Sequence, residues 1–64
     1  MDDYRITIMH GPLHEPTSRS EIFSESSFES ATNAATAFAA LHENGVLMSV
    51  EMVNPMLAFH RQIG

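Results

Sequence analysis

An alanine-dense run that ends at Asn44-Gly45 and gives way to an alternating stretch, Val46–Val53, is the strongest constraint on what this chain can become. Ala31, Ala34, Ala35, Phe38 and Leu41 recur at spacings of three and four, which puts them on one face of a 3.6-residue period. That pattern predicts a helix facing a core. Ala37, Ala39 and Ala40 fill most of the positions between, and alanine loses no rotamer freedom in a helix while letting the helix axis approach a sheet closely. Ser26 with Glu29 fits a capping box at the start, with Ser30 and Asn33 as a second candidate one turn later. At the other end Gly45 is expected to take the left-handed cap conformation after Asn44, with His42 in the last turn, where positive charge suits the helix dipole.

The flanking segments read as strands. Tyr4 to His10 alternates, with Tyr4, Ile6 and Ile8 on one face and Arg5, Thr7 and Met9 on the other, and it is rich in β-branched and aromatic side chains. Gly11-Pro12 breaks it. The segment on to Ser20, with a second proline, His14 and mostly polar residues, predicts a long loop, and Glu21 to Ser24 a short second strand. After the helix, Met48, Val50 and Met52 alternate with Ser49 and Glu51, so the methionines are expected in the core. Asn54-Pro55 resembles a helix start, and Met56, Phe59 or His60, and Ile63 behind it predict a short terminal helix.

These pieces give a single small α+β domain over residues 1–64, β-β-α-β, with one helix on one face of a three-stranded sheet. A right-handed crossover through the helix places strands two and three parallel on either side of strand one, in order 2-1-3. Such a sheet keeps one open face and two free edges, which invite pairing with another chain.

A chain of 64 residues buries only about 60% of its unfolded surface, so an enclosed catalytic pocket is hard to build. Without cysteine it has no disulfide staple, no thiolate metal site and no catalytic thiol. No nucleophile elbow and no glycine-rich phosphate loop occurs, and the expectation is a protein that is not an enzyme and carries no cofactor. The remaining way for so small a core to gain stability is an interface.

Charge narrows the partner. Eight carboxylates (Asp2, Asp3, Glu15, Glu21, Glu25, Glu29, Glu43, Glu51) stand against Arg5, Arg19 and Arg61, with no lysine. Direct binding of nucleic acid needs cations to neutralise phosphates, so it is not expected. A larger protein with a basic surface is. Glu21, Glu25 and Glu29 recur every fourth residue, and in extended form Glu21 and Glu25 flank Phe23 on one face, a row able to enter a groove that normally takes a phosphate backbone. The candidate contacts are Asp2, Asp3, Glu21, Phe23, Glu25, Glu29, Met9 and Met56, the methionines because flexible thioethers suit adaptable surfaces. The acidic start, Met1-Asp2-Asp3, is unlike a secretory signal, and no apolar run is long enough to span a bilayer, so a cytoplasmic protein is expected.

In size, acidity and β-β-α-β order the chain is similar to small phage and mobile-element proteins that inhibit larger host machines, among them inhibitors of bacterial RNA polymerase and anti-CRISPR proteins. That resemblance of general shape implies a non-enzymatic inhibitor or adaptor and implies no site residue. Two further readings are a self-associating accessory domain forming a homodimer, and a metal-binding protein using His10 and His14, with Glu15 as a third ligand.

Overall fold

The structure is a computed structural model that describes residues 1–53. Its elements are β1 (Asp2–His10), β2 (Thr17–Glu25), α1 (Phe28–Ala40) and β3 (Val46–Val53). The sheet has the order β2-β1-β3, with β1 antiparallel to both neighbours, so the expected α+β topology is the one observed. The predicted terminal helix, including Met56, lies outside the described residues.

The core is short and follows the alternation of β1. Tyr4, Ile6 and Ile8 are buried, and Ala31, Ala35 and Ala39 cover them from the helix, while Phe23, Phe38, Leu47 and Val50 close the margins. Among the described residues three of the six buried side chains are alanines, so the helix backbone sits against the isoleucines with little side-chain volume between. The helical face differs from the expected one at its end. The helix stops at Ala40, which leaves Leu41 84% exposed, and Ala39 takes the inward position one turn after Ala35.

Both caps also differ in detail. Ser27 is the N-cap, its hydroxyl accepting from the Ser30 amide at 3.0 Å, in place of Ser26 or Ser30. At the far end the left-handed residue is Asn44 (φ 53), not Gly45. Asparagine tolerates that region because its short side chain bonds locally, and here the Asn44 amide donates to the Gly11 carbonyl at 3.0 Å. Gly45 is needed for another reason: a Cβ there would fall 1.8 Å from the Ala39 carbonyl oxygen. His42 lies just past the helix, yet its Nδ1 still reaches the Phe38 carbonyl at 2.8 Å.

The second strand is longer than expected. It pairs with β1 over its full nine residues, from Asp2 opposite Glu25 to His10 opposite Thr17, and only residues 11–16 form the connection. Arg19, Glu21 and Phe23 lie opposite Ile8, Ile6 and Tyr4 and therefore on the helix side of the sheet, whereas Ser20, Ile22 and Ser24 lie on the open side. An edge strand carrying serine, threonine and charge resists edge-to-edge association, which explains a composition that hides its strand character.

The main correction concerns β3. Thr7 pairs with Ser49 but Ile8 pairs with Leu47, so Met48 is an extra residue in a β-bulge. The bulge resets the alternation before Ser49, so that Leu47 joins Val50 on the core and Met48, expected inside, is 58% exposed. Met52, also expected inside, keeps its register opposite Tyr4 but lies 57% exposed near the end of the strand.

Candidate interaction surface

Register gathers carboxylates at one end of the molecule. β1 starts where β2 stops, so Asp2 stands opposite Glu25 and Asp3 opposite Ser24. The helix begins three residues after Glu25, and its start is held over β1 by an edge-to-face contact of Tyr4 and Phe28, with ring centroids 6.2 Å apart. Glu29 occupies the first helical turn. Asp2, Asp3, Glu25 and Glu29 thus share one pole.

Hydrogen bonds orient two of them. Ser24 donates its hydroxyl to Asp3 Oδ1 at 2.6 Å, and Ser30 donates to Glu25 Oε1 at 2.7 Å. Glu25 and Glu29 also lie at the helix N-terminus, where the unpaired amides and the dipole favour negative charge. Asp2 and Glu25 are nevertheless like charges directly across an antiparallel pair, an arrangement that lowers stability. Among the described residues no cation lies in ion-pair contact with any of the four: the one ion pair joins Arg19 to Glu21 at 2.9 Å.

Glu21 therefore stands apart from the pole. Arg19 grips it and also lies 5.9 Å from the centre of the Phe38 ring, a cation–π distance, so Glu21 belongs to a lid over the core margin. Phe23 shares the helix-side face with Glu21 and Glu25 as the alternation predicts, but its ring packs edge-on against Phe38 at 5.4 Å and forms part of the hydrophobic margin. Met9 faces the open side opposite Val46 and is half-buried, and Met56 lies outside the described residues.

The open face of the sheet has a different character. Thr7 and Ser20 hydrogen-bond across strands at 3.0 Å, and Arg5 stands between Ile22 and Glu51 in register. Ile22 and Val46 are 54% and 56% exposed on this face. A depression of about 270 Å³, lined by Arg5, Ser20, Glu21 and Ile22, opens at the β2 edge. Among the described residues no polar or charged side chain is buried.

The histidines are arranged differently from the sequence expectation. His14 is exposed in the connection between β1 and β2, whereas the ring of His10 lies 4.8 Å from the ring of His42. Among the described residues no group of three or more histidine, aspartate or glutamate side chains is placed to hold a metal ion. The approach of His42 to His10 was overlooked from the sequence, although the topology contains a signal for it. A helix that crosses back between parallel strands ends at the same end of the sheet as β1.

Comparison of the chain with protein-family models, with curated proteins and with solved structures finds no match. No described helix is long and apolar enough to cross a membrane.

Proposed function

We propose that the protein is a non-enzymatic binding module, an acidic inhibitor or adaptor that docks its carboxylate pole on a basic surface of a larger protein. The observation that carries this reading is Asp2 facing Glu25, with Glu29 in the adjoining first turn of the helix and Asp3 at the same end on the open face of the sheet. Like charges placed opposite one another lower the stability of the free domain, and sites that break a local folding rule in this way are where function is expected. A cationic partner would relieve that repulsion. Surfaces that handle nucleic acid are the natural class, because they already present arginine and lysine to phosphates. The mode of action is that of the small phage-type inhibitors the chain resembles in size, acidity and element order.

The test is capture from a lysate of the encoding organism with the wild-type protein and with a variant carrying Asp2→Asn, Glu25→Gln and Glu29→Gln, at low salt and at about 0.5 M salt. Screening shortens the reach of exposed charges to a few ångströms at such salt, so the partner should be lost at high salt and by the variant at low salt. A partner retained unchanged in both arms refutes the docking mode.

A second reading, homodimerisation, is favoured by Ile22 and Val46 on the open face and by the free edge of β2. Light scattering separates the two: a docking inhibitor is a monomer alone, and the accessory domain is a dimer.

A further inference from the structure

We infer that His10 and His42 form a two-histidine site for a transition-metal ion such as zinc, at the end of the sheet away from the carboxylate pole. Four observations place the two imidazoles in a built setting. The Gly11 amide donates to the Glu43 carbonyl at 2.7 Å, and Asn44 donates to the Gly11 carbonyl at 3.0 Å, so the end of β1 is tied to the α1–β3 turn on both sides of Gly11. Each histidine is the neighbour of a residue in that tie. The His42 ring is further held edge-on against Phe38, with centroids 4.8 Å apart.

The fourth observation is chemical. His42 Nδ1 lies 2.8 Å from the Phe38 carbonyl oxygen, and a carbonyl can only accept, so the neutral ring carries its hydrogen on Nδ1. Nε2 is then left with a lone pair. A backbone carbonyl on the far ring nitrogen is the arrangement that fixes the tautomer and orientation of metal-binding histidines. His10 is half-buried, and its ring is 4.8 Å from that of His42, centroid to centroid. With a zinc–nitrogen bond of about 2.0–2.1 Å, a ligated ion sits about 3.2 Å from each ring centre, and two such rings at the tetrahedral angle stand about 5 Å apart. The observed separation fits that geometry, with water completing the coordination. His14, which the spacing in the sequence pairs with His10, is exposed in the loop and is not a ligand of this site.

Zinc chloride titrated into the intact protein, followed by calorimetry and by the imidazole nitrogen signals in NMR, tests this. One zinc per chain is expected, with the Nε2 signal of His42 shifting and its Nδ1 remaining protonated. His10→Gln and His42→Gln should each weaken binding at least tenfold, and His14→Gln should retain more affinity than His42→Gln. The wild-type nitrogen signals give a readout that does not depend on any variant folding. Absence of zinc binding up to millimolar concentration, unmoved His42 signals, or a larger loss in His14→Gln than in His42→Gln overturns the site.

Discussion

Gly45→Ala is the most informative single change in the fold, because the added methyl meets backbone rather than a side chain that could swing away. The new Cβ would lie 1.8 Å from the Ala39 carbonyl oxygen, 2.8 Å from the Ala39 carbonyl carbon and 3.2 Å from the His42 carbonyl oxygen. A carbon and an oxygen need more than 3 Å, so the turn must withdraw from the helix end by more than an ångström. That displacement breaks the bond from the His42 amide to the Ala39 carbonyl and the bond from the Gly45 amide to the His42 carbonyl, each 3.1 Å long. Two backbone hydrogen bonds contribute about 1 kcal/mol each, and forced overpacking costs about 1–3 kcal/mol, so a loss of about 3–5 kcal/mol is expected. A chain of 64 residues has in all about 3–10 kcal/mol of stability, so the variant should lose about a third of it or more. Urea denaturation followed by far-ultraviolet circular dichroism measures it. Asn44→Gly is the control: it relieves the left-handed strain but loses the bond to Gly11, two effects of about 1 kcal/mol that oppose one another. A Gly45→Ala protein within about 1 kcal/mol of wild type would refute the steric argument.

Ser27→Ala removes the N-cap acceptor for the Ser30 amide and should lower stability by about 1 kcal/mol in the same assay, whereas Ser26→Ala should change little. Ile8→Ala, at a fully buried position against the helix, should cost about 2–5 kcal/mol, while Met48→Ser at the bulge should stay within about 0.5 kcal/mol. An equal loss at both positions would mean that β3 pairs without the bulge.

The parts of this fold that were legible in the sequence are those where one physical signal acts alone. Tyr4, Ile6 and Ile8 alternate because β1 is the central strand with a buried face and an open one, and nothing interrupts it. The crossover rule then fixed the 2-1-3 order. β2 was hard to read because an edge strand survives by being polar, so Thr17, Ser18 and Ser20 resemble a loop until they are paired with β1. The bulge at Met48 left no mark, since no glycine or proline accompanies it, and it takes Met48 out of the alternation, whereas Met52 keeps its register opposite Tyr4 and is exposed at the far end of the strand. The helix ends one residue before the periodicity suggests: Leu41 fits the apolar spacing, but the chain leaves the helix at Ala40, where Gly45 closely approaches Ala39. For the candidate surface, the excess of acid was plain, while its concentration at one pole came from the strand register. The His10–His42 pair needed the three-dimensional arrangement as well.

The bulge has a chemical corollary for handling the protein. Its extra residue is a thioether more than half exposed, and Met52 beyond it is similarly open, so peroxide can convert both to sulfoxides while Ile6 and Ile8 stay covered. Mass spectrometry of brief peroxide exposure would therefore report which side of β3 becomes shielded when anything settles on it, with the intact domain supplying its own footprinting probes.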